Sequence, residues 1–242
     1  MFWPWKKNKV LLKRSNNFND IKVIQEKDGT NLLYLDKSSN IHSIYKYGMT
    51  STESYWDDFC IMPPIIGKGK IAILGLGGAT TVYLYRKYWP DLKLNCWEID
   101  GDLIDVARCY FGLADEEDVK INIEDALSES FFKSGCYSLV IVDLFLDGSF
   151  LSSLQNPEIW KNIKKQISPN GRLMVNLSGR NKKCLEVCDL IVAEFGSLCI
   201  KQTKEADNVL VLSGDLPNRE DWENLLPEAI KKRVKDWQVY KK

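Results

Sequence analysis

The sequence predicts an α/β protein built around a doubly wound, mostly parallel sheet. From residue 67 onward, short apolar runs alternate with segments of helical periodicity, which is typical of parallel strands joined by crossover helices. The first run, residues 71–74, contains no polar residue and leads into a glycine turn. Such a run indicates a strand buried on both faces, and the turn indicates the start of a helix. With 242 residues, the chain is long enough for one such domain and a small appendage.

Three short β-type runs precede this sheet and predict a small N-terminal antiparallel meander. They are residues 21–26, 31–35 and 41–45, separated by polar turn residues. Residues 51–59 carry a cap in the style of the Ser/Thr-x-x-Glu/Asp pattern, ahead of aromatic residues. This pattern predicts a capped helix that leads into the first strand of the sheet.

The predicted sheet continues through the middle of the chain. Its further strands are residues 92–98, 119–123, 137–143 and 172–177, and its helices are residues 81–88, 102–111, 126–133, 157–167 and 182–195. Residues 198–204 and 208–213 predict a closing antiparallel hairpin, because only a short polar turn separates them. The apolar spacing in 218–242 predicts an amphipathic helix, packed on the body or in a homodimer contact.

Composition excludes several classes of protein. The chain has 33 basic and 33 acidic residues, so its net charge predicts no nucleic-acid partner. It contains no stretch apolar enough for membrane insertion and no secretory signal, which favours a cytoplasmic location. Phe2, Trp3 and Trp5 stand among basic residues, a mixture also found at membrane surfaces. A disordered lead-in or packing on the sheet is the favoured interpretation of this segment.

Scattered cysteines indicate core thiols of a reducing compartment. There are seven, an odd number, and most have apolar neighbours. Cys184 and Cys188 fall one helical turn apart, but His42 is the single histidine. A zinc site would lack further ligands, so we expect no metal.

The glycine turn after the first strand is the first functional signal. Gly75, Gly77 and Gly78 allow a tight reversal and leave room for the backbone to approach a ligand. Thr80 and Thr81 follow, and their hydroxyl groups would cap the next helix. A purely structural turn is the alternative interpretation of the glycines alone.

Acidic residues follow three of the predicted strands. Glu98 ends the second strand roughly 20 residues after the glycines, where an acid meets ribose hydroxyl groups. Asp125 follows the third strand and Asp143 the fourth, so both are expected at the carboxyl edge, where open α/β sheets bind ligands. Together these acids predict a nucleoside site, with a helix-capping role for Asp125 as the alternative.

Six segments carry a resemblance to a known family. They are FNDIKVI, SYWDD, GLGGAT, WEID, IEDAL and VDLFLDG, and they lie in this order between residues 18 and 214. In order and spacing they resemble the spermidine synthase (polyamine aminopropyltransferase) family and its methyltransferase-like relatives, within the S-adenosylmethionine-dependent transferase superfamily. The resemblance implies a Rossmann-like class I methyltransferase fold. It divides the chain into an N-terminal meander with a connecting helix (1–60), a cofactor-binding domain (61–214) and a helical tail (215–242).

The resemblance also implies a cofactor, S-adenosylmethionine or its decarboxylated form, and roles for individual residues. Glu98 would hold the ribose hydroxyl groups, Asp125 the adenine amino group, and Ala126 would line the base. Asn19 stands where the family has a strand glutamine. The predicted cofactor-binding residues are Gly75, Gly77, Gly78, Thr80, Glu98, Asp125, Ala126 and Asn19.

Departures from the family pattern bear on the reaction. Gly78 stands where aminopropyltransferases carry an aspartate that binds the amine of the decarboxylated donor. Without that acid, the carboxylate of intact S-adenosylmethionine meets no repulsion there. The acceptor motif Asp-Ser-Ser-Asp-Pro becomes Asp-Leu-Phe-Leu-Asp at residues 143–147, the Tyr-Pro-Ser-Gly loop has no equivalent, and Trp56 replaces a histidine or glutamine. The missing acid at Gly78 favours the intact donor, and the other departures count against a polyamine site.

Methyl transfer to an unidentified small-molecule acceptor, such as an amine, is therefore the favoured function. Asp143 and Asp147 are the predicted catalytic residues, and together with Asn176 they would orient the acceptor or receive its proton. Aminopropyl transfer to a polyamine and a non-catalytic nucleoside-binding role are the alternatives. A nicotinamide oxidoreductase is disfavoured by Thr80 at the third glycine position and by the closing hairpin.

Overall fold

A four-stranded antiparallel sheet opens the computed structural model, which describes residues 8–37, 40–204 and 207–241. Its strands are β1 (Lys9–Ser15), β2 (Asp20–Gln25), β3 (Asn31–Tyr34) and β4 (Ser43–Tyr45), in that order across the sheet. The predicted N-terminal meander is confirmed, with one more strand than the sequence indicates.

Strand β1 is the additional strand, and for residues 9–15 it excludes the disordered lead-in that the sequence analysis gave as one of two alternatives. It pairs with β2 from Lys9↔Gln25 to Ser15↔Asp20, with a bulge between Val10 and Leu12. Its many polar residues hide the alternation that identifies a strand, so its conformation depends on the backbone pairing that β2 offers. Phe2, Trp3 and Trp5 lie outside the described residues.

An eight-stranded, mostly parallel sheet forms the centre of the molecule. The strands after β4 are β5 (Lys70–Leu74), β6 (Leu94–Glu98), β7 (Val119–Ile123), β8 (Tyr137–Val142), β9 (Phe145–Leu146), β10 (Ser149–Phe150), β11 (Ile167–Ser178), β12 (Leu198–Gln202), β13 (Asn208–Ser213) and β14 (Gln238–Val239). The order in the central sheet is β14-β12-β13-β11-β8-β5-β6-β7, and β9 and β10 form a separate hairpin. Because β13 runs antiparallel to both β11 and β12, the predicted sheet with its closing hairpin is confirmed.

Helices cover both faces of the central sheet. They are α1 (Trp56–Phe59), α2 (Thr80–Tyr88), α3 (Gly101–Tyr110), α4 (Glu129–Phe132), α5 (Pro157–Lys165), α6 (Lys182–Phe195) and α7 (Arg219–Asn224). In β5, Ile71 and Ile73 belong to the core that contains Tyr85 of α2, whereas Ala72 and Leu74 belong to the core that contains Trp160 of α5. Both faces of β5 are therefore buried, as its unbroken apolar sequence predicts.

Two predicted helices are shorter in the structure, and in each case an aspartate explains why. Asp57 accepts hydrogen bonds from the N–H groups of Thr52 and Glu53 at 2.8 and 2.9 Å, which holds residues 51–54 in a loop and leaves only α1 helical. Asp125 accepts from the N–H of Leu127 at 2.8 Å, and this turn delays the start of α4. Aspartate side chains compete in this way with helical hydrogen bonds.

The segment after residue 215 does not form the single amphipathic helix that its apolar spacing predicts. Helix α7 ends at Asn224, three residues before Pro227, a 3₁₀ turn covers Lys231–Val234, and β14 adds an edge strand to β12. Proline lacks the N–H that a continuous helix requires. The apolar residues are nevertheless used as predicted, since Trp222 is buried and donates its indole N–H to the carbonyl of Ile61 at 2.9 Å.

Candidate functional site

The carboxyl edge of the central sheet collects most of the predicted site residues. The glycine loop joins β5 to α2, Glu98 ends β6, Asp125 follows β7 and Asp143 follows β8. Asn176 lies in β11, where the neighbouring residue Val175 pairs with Val142 of β8. Parallel strands bring their carboxyl ends to one edge, so chain order alone places these side chains together.

The glycine loop is packed too tightly for side chains. Gly75 has a φ of 88°, and a Cβ added there would lie 2.2 Å from the carbonyl oxygen of Asp143. A Cβ on Gly78 would lie 2.7 Å from the Cβ of Ser43 in the N-terminal sheet. Gly77 has a φ of 54°, which also favours glycine. The loop is therefore enclosed by β8 on one side and by β4 on the other.

Glu98 holds this loop in place. One of its carboxylate oxygens, Oε2, accepts from the N–H groups of Leu76 and Gly77, both at 3.0 Å, and Oε1 accepts from the N–H of Asp100 at 3.1 Å. Burial raises the pKa of the Glu98 carboxyl, and the three backbone hydrogen bonds oppose that rise. A carboxylate offers about four acceptor positions. It can therefore organise the loop and still accept from a ligand hydroxyl group.

Thr80 has a different role from the predicted helix cap. Its Oγ1 accepts from the N–H of Ile44 and donates to the carbonyl of the same residue, both at 3.0 Å. The N-cap position is Ala79, with a φ of 65° and no side-chain cap. Buried Thr80 thus joins α2 to β4, and its contact with a cofactor stays a prediction.

Asp125 and Ala126 lie next to each other in very different environments. Asp125 is exposed. The hydrogen bond described for its side chain, from the N–H of Leu127, lies within its own turn. Ser128 occupies the N-cap of α4, so Asp125 does not cap that helix. Ala126 is buried in the core that contains Trp97 and Phe131. Their predicted contacts with a base stay predictions.

Two exposed isoleucines border this region, and the sequence analysis does not identify them. Ile99, directly after Glu98, is 47% exposed, and Ile123, at the end of β7, is 59% exposed. Exposed large apolar side chains offer a surface on which a flat apolar group can pack. For Ile99, the sequence offers one signal of this role, which is an apolar residue directly after the acid that ends a strand.

Asn19 reaches the same edge from the N-terminal sheet. Its Nδ2 donates to Oδ2 of Asp100 at 2.7 Å, and Nδ2 of Asn16 donates to Oδ1 of Asp100 at 2.8 Å. Asp100 in turn caps α3 by accepting from the N–H of Asp102 at 3.0 Å. Asn19 therefore positions the loop after Glu98, and its direct contact with a cofactor stays a prediction.

Asp143 is the centre of a hydrogen-bonded network. It accepts from Nδ2 of Asn176 at 2.8 Å and from the hydroxyl group of Tyr55 at 3.3 Å. Oδ1 of Asn176 accepts from Nδ2 of Asn208 at 2.9 Å. Burial raises the pKa of Asp143 to about 6, and the bonds from Asn176 and Tyr55 oppose this rise. A carboxylate with this pKa takes up protons near neutral pH.

Sequence reasoning missed two members of this network. Tyr55 lies in the SYWDD segment, whose tyrosine matches the family, and Asn208 begins the second strand of the closing hairpin. The match of Tyr55 to the family was the available signal, whereas Asn208 carries none, because it reaches the network from a distant part of the chain.

Asp147 is a turn residue in the structure. It has a φ of 48° and precedes Gly148, with a φ of 72°, at the tip of the β9–β10 hairpin. Two successive residues with positive φ are typical of a type I′ turn, for which Asp-Gly is a preferred sequence. The side chain of Asp147 is exposed and does not belong to the Asp143 network. Its catalytic role stays a prediction.

Neither a metal site nor a membrane span is found in the part of the chain that the structure describes. There, no group of three or more His, Cys, Asp or Glu side chains is arranged to hold a metal ion. None of the helices in the same ranges has the length and apolar character needed to cross a membrane. The cytoplasmic location and the homodimer stay predictions.

Two curated proteins are similar in sequence to this chain. Over 209 residues it is 22% identical to a probable polyamine aminopropyl transferase of Bifidobacterium longum, covering 84% of this chain and 43% of that protein. Over 155 residues it is 24% identical to the eEF1A lysine and N-terminal methyltransferase of Xenopus laevis, covering 60% of this chain and 22% of that protein. The chain spans less than half the length of either relative. No protein-family model matches it.

Solved structures share the fold. A probable spermidine synthase from Corynebacterium glutamicum superposes with a TM-score of 0.76 at 14% identity, over 94% of this chain and 89% of that one. Human methyltransferase-like protein 13 in complex with SAH gives 0.59 at 19% identity, over 76% and 88%. A spermidine synthase in complex with the transition state analogue AdoDATO gives 0.70 at 15% identity, over 93% and 88%. The chain is thus spermidine synthase-like in sequence, and its fold is that of the S-adenosylmethionine-dependent methyltransferases.

Proposed function

We propose that this protein binds S-adenosylmethionine at the carboxyl edge of its sheet and transfers the methyl group to an acceptor held beside Asp143. The observation that carries the choice of donor is the contact between Gly78 and Ser43. Where aminopropyltransferases carry an aspartate, this chain has a glycine whose missing side chain is replaced by the Cβ and Oγ of Ser43. No acid faces the amino-acid end of the donor at this position.

Binding of the nucleoside would use the residues already described. Glu98 retains acceptor capacity for a ribose hydroxyl group, and exposed Asp125 is available to the amino group of adenine. Ile99 would pack against the base. The N–H groups of Gly77 and Gly78 are already bonded to Glu98 and to Oγ of Ser43. They do not serve the donor carboxylate, and the preference for the intact donor is argued from the missing acid alone.

Transfer from a sulfonium depends mainly on alignment. The acceptor's electron pair attacks the methyl carbon, the carbon–sulfur bond breaks, and its electron pair stays on sulfur. An amine acceptor must lose a proton, and Asp143, with a pKa of about 6, is charged at neutral pH and can receive it. Tyr55 and Asn176 would hold the carboxylate in position for this step.

Aminopropyl transfer is the second candidate, favoured by the name of the Bifidobacterium relative and by the shared fold. It uses the same type of displacement, in which the acceptor attacks a carbon bonded to the sulfonium sulfur and the C–S bond breaks, but the donor is decarboxylated. Calorimetric titration of both donors separates the two functions. Intact S-adenosylmethionine is expected to bind at least as tightly as the decarboxylated donor. A clear preference for the decarboxylated donor would make aminopropyl transfer the better supported function. If neither donor binds, the protein is not a transferase of this type.

Introducing the family's aspartate at residue 78 is expected to lower the free energy of unfolding as well as to change the donor preference. Gly78→Asp places a side chain against Ser43, and such overpacking costs about 1–3 kcal/mol. The double variant Ser43→Gly/Gly78→Asp removes the obstructing Cβ and should recover part of this loss, measured by urea unfolding with Ser43→Gly as the control. In the double variant, donor preference should move toward the decarboxylated form by about 1 kcal/mol. An unchanged preference would show that residue 78 does not face the donor.

A second prediction concerns the ribose. Glu98→Gln is expected to weaken S-adenosylmethionine binding by about 1.5–3 kcal/mol, because a neutral amide replaces a charged acceptor. Calorimetry on the folded variant measures the loss. Glu124→Gln, an exposed residue just after the neighbouring strand β7, is the matched control and should bind as the wild type does. Equal affinities for both variants would remove Glu98 from the cofactor site.

A further inference from the structure

A cationic cavity opens beside the Asp143 network. Its volume is about 270 Å³, and basic side chains form most of its wall: Lys201, Lys204, Lys232, Arg233 and Lys235. The acids of the wall are Glu53 and Asp236, and Asp58 lies buried behind Lys201 and Arg233. Among the described residues, these five cations and three carboxylates leave two positive charges in excess. The overall charge of the chain is balanced, so this excess is local.

Sheet topology places the cavity at the edge that holds Asp143. Because β12 runs antiparallel to β13, and β13 antiparallel to β11, the last residues of β12 lie at the carboxyl edge of the parallel strands. Thr203 of the cavity wall accepts from the N–H of Asn208 at 3.3 Å, and the side chain of Asn208 bonds to Asn176 of the network. On the other side, Glu53 stands two residues before Tyr55. Both paths connect the wall to Asp143.

The cations of the wall are not neutralised equally. Lys201 is held by Asp58 at 2.6 Å in a buried pair, and Arg233 bonds to the same carboxylate. Lys204 meets Asp236 at 3.2 Å in an exposed pair, and such pairs are weak and exchange readily with other partners. Lys232 pairs with Glu53 in another exposed ion pair, whereas no ion pair of Lys235 is found among the described residues. The wall therefore has cationic donors available to a ligand.

A buried donor in the same neighbourhood is also unused. The indole Nε1 of Trp237 is buried and has no acceptor among the described residues. The ring of Trp237 lies 5.9 Å from Nζ of Lys201. Buried donors are normally satisfied, so this one adds to the excess of donors over acceptors around the cavity.

We propose that the acceptor of the transfer reaction carries an oxyanion, a carboxylate or phosphate group, which this cavity holds while the acceptor's nucleophile lies near Asp143. This assignment rests on the proposed function and names the chemical class of its substrate. A polyamine is the opposite in charge, and the excess of cations would repel it. The cavity thus separates this chain from transferases that act on polycationic acceptors.

The test uses two anions and one polycation as probes. Inorganic phosphate, acetate and spermidine are each titrated up to about 10 mM into the ¹⁵N-labelled full chain, and amide shifts are followed by NMR. At least one anion is expected to shift the amides of residues 202–204 and 235–236 with saturation, while spermidine does not. Whichever anion binds more tightly identifies the class of oxyanion. The variant Lys204→Gln/Lys235→Gln should weaken this binding at least about tenfold.

The matched control is Lys120→Gln/Lys183→Gln, which removes two exposed lysines outside the cavity wall and should bind the anions as the wild type does. The proposal is overturned if no anion saturates, if the two double variants bind anions equally, or if spermidine binds in the cavity. Calorimetry with S-adenosylmethionine on the same samples keeps the two proposals apart. Donor binding without anion binding refutes the proposal that the cavity holds an oxyanion. Anion binding without donor binding refutes the proposed transferase function and leaves an anion site of another role.

Discussion

Replacing Asp143 with asparagine is expected to slow methyl transfer about 100- to 10,000-fold, the range measured for loss of a general base. The carboxylate is the charged group of a network that also contains Asn176 and Tyr55, and an amide of the same shape cannot take up a proton. Stability should not fall. Folding raises the pKa of Asp143 from 3.8 to about 6, so above that pH its charge destabilises the native state, and an amide avoids this cost.

The pH dependence gives the same residue a second test. Because the base must be unprotonated, the wild-type rate should be constant above about pH 7 and fall roughly tenfold per pH unit below about 6. Asp143→Asn should lose this dependence, and Asp115→Asn, an exposed residue remote in sequence, should keep both rate and profile. Single-turnover assays with labelled donor measure all three proteins. A normal profile in Asp143→Asn would assign the base elsewhere, and Asp147→Asn would then be the next variant to measure.

Removing the carboxylate of Asp58 is expected to cost about 3–5 kcal/mol of unfolding free energy. Asp58 is fully buried, accepts from Nζ of Lys201 at 2.6 Å, and bonds to the guanidinium of Arg233 through Nε at 3.0 Å and through Nη2. Asp58→Ala would remove the carboxylate that balances the charges of these two buried cations. The loss should appear in urea unfolding as a lower midpoint with an unchanged slope.

The matched control is Asp115→Ala, which breaks the exposed ion pair with Arg108 and should cost less than about 1 kcal/mol. A second variant distinguishes two causes of the stability loss, an uncompensated buried charge and the loss of packing around the missing side chain. If unpaired cations cause the loss, Asp58→Ala/Lys201→Met should be more stable than Asp58→Ala alone. If the double variant is less stable, the loss comes from the cavity left by the side chain. A cost for Asp58→Ala as small as that of the control would mean that water enters the space between Lys201 and Arg233 and solvates their charges.

Much of the fold was predictable because hydrophobic period and chain order suffice for a sheet of this kind. Apolar runs that alternate with helical segments favour parallel strands joined by crossovers, and parallel strands present their carboxyl ends at one edge. Glu98 and Asp143 were therefore placed together before any contact was known. Predictions failed where the local pattern is ambiguous. Polar-rich β1 forms a strand only beside its partner β2. In the segment after residue 215, the apolar spacing indicates one helix, whereas Pro227 is a local signal against it that the spacing does not take into account.

The sequence by itself determined the sheet, the glycine loop and the acids that end its strands, because each follows from a period or a spacing within a short window. Only the tertiary structure decided which of these residues interact. Ser43 meets Gly78 across 35 positions, Tyr55 meets Asp143 across 88, and Lys201 meets Asp58 across 143. Hydrogen bonds and charge pairs between distant residues leave no periodic trace in a sequence, since they depend on where whole elements pack. The closed space at Gly78 and the cationic cavity near Asp143 arise from such packing.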